Sequence, residues 1–298
     1  MNDARSASAD ADPKSAWHVV MSQPRFPAAA RRLAANMLQA CDEDQRFCAV
    51  SKDAGHYVAA MSAAYLHGAG GLTLARLKTI CAASGFLSAG RARSLLQFLV
   101  HLGYLQASQA QGRALSYLPT ALFLAAWQRH LQLALLAAAV LEPSLQSLCD
   151  GLDQPPIFAA FLGIQATRLY TLTQSPDPVP GLREAFLHPR AGTQILWLLA
   201  VAGEHDQPFP TAAPVRLKLS RIAARFHVTH VHVRRVLQHA ESLGLLEYDG
   251  HGSAQLSGIG RDTIRLHFAF QLAELAASGA DTLRALAGVA QTRASRDA

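Results

Sequence analysis

Apolar residues recur at helical spacing through most of the chain, and glycine, proline and capping residues cut the pattern into elements. The sharpest stretch is Ser220–Leu246, SRIAARFHVTHVHVRRVLQHAESLGLL. Ser220 predicts the N-cap of a short helix that buries Ile222, Ala223 and Phe226. Val228 packs into a turn, and Thr229 caps a second helix with Val233, Val236, Leu237, Ala240 and Leu243 on its buried face. Gly244 supplies a left-handed C-cap. Leu245–Tyr248 then reads as a strand and Asp249-Gly250-His251-Gly252 as a hairpin tip.

Upstream, the spacing predicts helices over Ala28–Cys41 and Ala54–His67, separated by the break Cys41-Asp42-Glu43-Asp44. Thr73 caps a helix carrying Leu74, Leu77 and Cys81; Gly85-Phe86-Leu87 makes a turn. Ser88 caps the next helix, with Leu95, Leu96, Leu99 and Leu102 buried up to Gly103. Tyr104–Ser108 and Ala114–Leu118 read as paired strands around a tip at Gln109–Arg113. Long apolar helices follow at Ala121–Leu141 and Asp262–Ser278. Gln128-Arg129-His130 interrupts the first and argues against a membrane span. Asp150–Pro156 and Thr173–Pro180 are turn-rich, with a helix at Ile157–Leu172 between them, and Ala191-Gly192 opens a further helix.

Thr79–Leu105 aligns with Ser220–Leu246 without a gap. The two stretches are identical at Ala82/Ala223, Ala83/Ala224, Arg93/Arg234, Leu96/Leu237, Gln97/Gln238, Leu102/Leu243, Gly103/Gly244 and Leu105/Leu246. The repeat predicts a unit of roughly 140 residues used twice. The expected organisation is a disordered tail (1–16), a first unit (17–150, motif 73–118) and a second unit (151–298, motif 213–258).

Composition supports a helix-rich globular chain, since half of the 298 residues are apolar and 16% are charged. The net charge of +6 suits a polyanionic partner, and its distribution says more than its size. Ala54–Leu141 and Ala213–Ala240 contain no Asp or Glu, and each window carries Arg and Lys. Both coincide with a helix-helix-hairpin motif, where they would draw phosphates and release counterions. Cys41, Cys48, Cys81 and Cys149 lack metal-ligand spacing; reduced, buried thiols are expected, with a Cys41–Cys48 redox pair as the alternative. The first residues have no apolar signal core, so the expected compartment is the cytoplasm.

Helix, turn, second helix, glycine, strand, hairpin is the order of a winged helix-turn-helix, and IAARFHVTHVHVRRVLQHAESLGLL resembles the DNA-binding domains of MarR, GntR and Crp-type regulators. The order within each unit is most similar to MarR. That resemblance implies a mainly α fold of two tandem winged helix-turn-helix units, each with a small β-hairpin wing, packed through long flanking helices. It also implies a sequence-specific double-stranded-DNA-binding transcription regulator, working as a single-chain pseudo-dimer or as a homodimer. Its ligand habits imply a small-molecule effector cavity between the units, for which Trp127, Phe161, Tyr170 and Trp197 are the candidate walls.

With Val233 at the core centre of the second recognition helix, Val231, Arg235, Gln238 and Ser242 point outward, flanked by His230, His232 and Arg234. Arg235 can fork to guanine, Gln238 can pair with adenine, and Val231 can meet a thymine methyl. Thr229, His230 and Arg234 suit phosphates, Arg221 and Arg225 suit positioning contacts, and His251 stands on the wing. In the first unit the candidates are Ser88, Arg91, Arg93 and Gln97, with Arg113 on its wing. His227, His230, His232 and His239 lack the spacing and partners of a metal site, so neither metal nor cofactor is expected. No GxSxG, phosphate loop or HExxH occurs, which argues against an enzyme. The competing expectation is a non-catalytic interaction scaffold built on winged helices.

Overall fold

A computed structural model of the chain describes residues 13–83, 88–108, 115–172, 177–203 and 208–294. The fold is mainly α-helical, with two small antiparallel sheets. The elements begin with α1 (Pro13–Ser22), α2 (Phe26–Glu43), α3 (Gln45–Val50) and α4 (Ala54–Gly68). Next come β1 (Leu72–Thr73), α5 (Leu74–Ala83), α6 (Ala89–His101), β2 (Leu105–Ser108), β3 (Ser116–Pro119) and α7 (Ala121–Ala138). The middle of the chain forms α8 (Gln146–Gly151), α9 (Pro155–Leu172), the short α10 (Pro180–Leu182) with a wide turn at Arg183–Leu187, and α11 (Gly192–Val201). The last stretch runs β4 (Val215–Arg216), α12 (Leu219–Arg225), α13 (His230–Ser242), β5 (Leu246–Tyr248), β6 (Ser253–Leu256) and α14 (Gly258–Ala294).

The order helix, strand, helix, helix, hairpin, long helix therefore occurs twice, from α4 to α7 and from α11 to α14. The sheets repeat as well, in the orders β1-β3-β2 and β4-β6-β5. In the first, Leu105 faces Pro119 across the β2–β3 pair; in the second, Leu246 faces Leu256. The capping chemistry also repeats. Ser88 accepts from the Arg91 amide and Thr229 from the His232 amide. Gly103 and Gly244 adopt positive φ (72° and 71°), so each long helix hairpin ends in the left-handed turn that glycine takes without a Cβ penalty. The Thr120 hydroxyl then donates to the Gly103 carbonyl and the Ser257 hydroxyl to the Gly244 carbonyl, joining each glycine turn to the start of α7 or α14.

Packing exchanges helices between the halves. α2 lies along α7 and crosses to α11, while α9 lies along α14 and crosses to α4; α7 and α14 meet between them. One buried apolar core consequently runs from Trp17 to Leu275 across the expected boundary at residue 150.

Several elements differ from expectation. The expected tail ends earlier, because α1 begins at Pro13 and buries Trp17 edge-on to Phe270 of α14, with ring centroids 5.2 Å apart. Asp150 belongs to α8 rather than to a turn. Lys218, not Ser220, holds the N-cap position of α12, since the Leu217 amide is tied to the Gly252 carbonyl at 2.6 Å and the chain leaves β4 there. The helix expected at Asp262–Ser278 extends over Gly258–Ala294. Its buried face continues through Ser278 and Thr282, and a Cβ at Gly279 would meet the Leu145 side chain at 2.5 Å. Among the described residues no helix is long and apolar enough to cross a membrane. The Gly85–Leu87 turn and the Gln109–Arg113 tip lie outside the described residues.

Candidate nucleic-acid interface

Helix α13 is built two-faced by its sequence. Val233, Val236, Leu237 and Ala240 are buried, while His230, Val231, Arg234, Arg235, Gln238 and Ser242 are exposed. Val231 keeps 40% of its surface in solvent although it is apolar, which gives the helix N-terminal turn a greasy tip between basic neighbours. Arg216, Lys218 and Arg221 are exposed around the start of α12, and His251 is exposed on the hairpin tip. The tip is closed by Asp249, whose carboxylate accepts from the amides of His251, Gly252 and Ser253 at 2.8–2.9 Å. Those backbone bonds hold its pKa below the usual carboxylate range. Gly252 is required there: its φ is +119°, and a Cβ would meet the Leu217 carbonyl at 2.6 Å.

Three of the contacts expected of the second motif have partners within the protein. The Arg225 guanidinium donates to both oxygens of Asp42, at 2.9 and 2.7 Å, so it anchors α12 to α2 rather than standing ready for phosphate. His232 is half-buried, and its Nε2 lies 2.7 Å from the Arg190 carbonyl just before α11. Thr229 is exposed, with its hydroxyl engaged in capping α13.

On α6, Ala92, Leu95, Leu96 and Leu99 are buried, and Gly90, Arg91, Arg93, Ser94 and Gln97 are exposed. Arg91 lies 3.6 Å from Asp53, the N-cap of α4. His232 and Arg91 occupy equivalent places, so each half ties the start of its second motif helix to the start of the preceding long helix. Arg113 lies outside the described residues.

Sequence reading missed the junction that seats both motifs on the body. Cys41-Asp42-Glu43-Asp44 reads only as a helix end, yet each acid there has a distant partner. Asp42 holds Arg225 of α12, Glu43 holds Arg129 of α7 at 3.1 Å, and Asp44 caps α3 and accepts from the Tyr104 hydroxyl at 2.8 Å. Gln45 adds a 3.0 Å contact to His227. The signal was present as a dense acidic run upstream of an acid-free window, but its partners lie far along the chain. Beside it, the buried Cys41 and Cys48 are free thiols. Cys41 packs 3.3 Å from the Ser51 hydroxyl, and its thiol is held up by the neighbouring Cys48 and by burial.

A cavity of about 670 Å³ opens among α1, α2, α4, α7, α9, α11 and α14. Of the four residues expected to wall an effector cavity, Tyr170 and Trp197 border this one. Trp127 and Phe161 do not: both are fully buried, and Trp127 stacks within a cluster of Phe47, Tyr57, Phe123 and His130. Their apolar bulk is spent on core packing, which one residue's helical position cannot distinguish from cavity lining.

Comparison with protein-family models, curated proteins and solved structures finds no match for this chain.

Proposed function

We propose that the chain is a sequence-specific, double-stranded-DNA-binding transcription regulator whose two repeated modules are winged helix-turn-helix units similar to those of MarR-type regulators. In this reading α13 is the principal recognition helix, α6 is its counterpart, and β2–β3 and β5–β6 are the wings. The observation that carries it is the exposed face of α13: Arg234, Arg235 and Gln238 beside Val231, with the opposite face closed into the core. Such a face offers phosphate anchors and bidentate base-reading groups together, in a window with no acid to repel the duplex. The cross-packed halves in one chain support a pseudo-dimer that presents two recognition helices.

Selection of bound duplex fragments from random or genomic DNA tests this. A defined motif is expected, with Arg234→Ala and Arg235→Ala each weakening binding about tenfold or more. Arg235→Ala should also relax base preference, whereas Arg234→Ala should mainly flatten the salt dependence. Absence of duplex binding at low salt would sink the reading. One feature favours protein contact by the first half instead: Leu115, Leu118 and Leu122 are 44%, 39% and 42% exposed around its hairpin and the start of α7. A chain that selects no DNA but captures a protein through those leucines is a scaffold.

A further inference from the structure

The two motif helices start on either side of one junction. Arg91, the third residue of α6, reaches Asp53 in the turn before α4. His232, the third residue of α13, is bonded to the Arg190 carbonyl in the turn before α11. Those two turns are themselves joined. The buried Gln194 side chain of α11 donates to the Cys48 carbonyl at 3.0 Å and lies 3.5 Å from the Ser51 hydroxyl. The repeat aligns Ala54-Gly55 with Ala191-Gly192, which makes Asp53 and Arg190 counterparts. The junction therefore stands between the repeats, with one motif helix starting on each side.

What the junction presents to solvent is positive charge. Arg190 is exposed, the Arg91 side chain is 48% exposed, and Lys52 is half-buried with its ammonium 4.7 Å over the Phe98 ring of α6. The acid nearby, Asp53, is buried and already caps α4, with His56 and Arg91 as its partners. Among the described residues neither Lys52 nor Arg190 has an acid within ion-pair distance. Burial and the Arg190 guanidinium push the Lys52 ammonium below the usual lysine range, against the pull of Asp53. Like charges gathered in this way repel one another, and a polyanion relieves them. The backbone is strained at the same place. Ala191 (φ 56°) and His227 (φ 52°) are the described non-glycine residues with positive φ. Ala191 follows Arg190 directly, and His227 shares with Arg190, Thr229 and His232 the walls of a shallow hollow. Such strain persists only where packing fixes the chain, and Ala191 is fully buried, so Arg190 is presented from a rigid turn.

We propose that Lys52, Arg91 and Arg190 make a third DNA contact, a clamp that reads no bases and takes backbone phosphates of the duplex between the stretches met by α6 and α13. The clamp rests on the proposed function and adds Lys52 and Arg190 to its contact set. Both stand on the turns between the motif helices, off the outward faces of α6 and α13, so they meet the duplex where no recognition helix enters its groove. Donors without acceptors suit phosphate oxygens, Lys52 as a point charge and the two arginines as forks. The clamp is built unequally, because the first half carries the acid Asp53 where the second carries Arg190. Arg190 therefore contributes more than Arg91, which already faces Asp53.

Fluorescence anisotropy of the full chain with a duplex it selects, across a salt series, tests the clamp. Arg190→Gln and Lys52→Gln should each weaken binding about fivefold or more and reduce the slope of log affinity against log salt by about one. Base preference should stay unchanged, and the loss should be equal on an unrelated duplex, in contrast to Arg235→Ala. Arg190 is exposed, so its substitution leaves the core intact. A second measurement needs no variant. Methylphosphonate linkages, which remove backbone charge, should weaken binding by the unaltered chain when placed at the centre of its footprint. The Lys52→Gln/Arg190→Gln double variant should lose that response. An unchanged salt slope in Arg190→Gln, or no effect of central methylphosphonates on the unaltered chain, would overturn the clamp and leave the DNA reading standing. If the unaltered chain selects no duplex, the DNA reading falls and the clamp with it.

Discussion

Single side chains in this protein separate into those that hold the motif helices and those that face outward from them. Arg225 shows why position alone misleads: its place on α12 suits a phosphate contact, but its two-point bond to Asp42 makes it a strut. Both partners are partly exposed, so Asp42→Ala should cost about 1 kcal/mol or less. The loss should shrink further in high salt, as read by urea denaturation. Gly252→Ala should cost more, about 2 kcal/mol, because it combines a positive φ with a collision at the Leu217 carbonyl. His130 gives a pH signature. It is buried and accepts or donates only through Nε2 to the Tyr57 hydroxyl at 2.9 Å, and burial lowers its pKa to about 3. Between that value and the ordinary histidine range near 6.5, the unfolded chain binds the proton that the folded chain refuses. Stability is thus complete above about pH 6.5 and falls as the pH drops toward 3. His267 adds a loss of the same sign. Urea midpoints measured from pH 7 to pH 4 should decline, and His130→Phe should make the decline shallower.

At the scale of elements, α6 and α13 are equal in length and capping and unequal in what they present. They share Arg93/Arg234 and Gln97/Gln238, but Gly90 stands where α13 has Val231, and Ser94 where it has Arg235. If both read DNA, the selected site should consist of two related but unlike half-sites, the α13 half being the better defined. Exchanging the difference is feasible, because a Cβ at Gly90 meets nothing within 4 Å and Ser94 is exposed. Gly90→Val combined with Ser94→Arg should make the selected half-sites more alike; an unchanged motif would mean that α6 does not read bases. Element boundaries were legible where a local cap is made, and not at α12, whose start is set by β4. Ser88, Thr229, Gly103 and Gly244 act as caps through bonds to residues three or four positions away. The strands β1 and β4 were not legible, because two residues become a strand only by pairing with Ser116–Tyr117 or Ser253–Ala254.

At the scale of the molecule, the exchange of α2 and α9 between halves decides how the chain folds. Helix α2 buries ten residues along its length, between α7 of its own half and α11 of the other. Separate expression of residues 17–150 and 151–298 should therefore yield two poorly structured fragments by circular dichroism, and mixing should restore helix content. The intact chain should unfold in a single transition, since one core spans both halves.

The sequence by itself determined the mainly helical class, the repeated helix-helix-hairpin order, the caps Ser88 and Thr229 and the outward residues of α13. All of these follow from interactions within about one helical turn or from the 3.6-residue period. Only the tertiary structure decided that Arg225 and Asp42 join, and that Trp127 and Phe161 are core while Tyr170 and Trp197 border a cavity. Those outcomes depend on which distant side chains fill a shared volume, a property of packing between elements that no local spacing encodes.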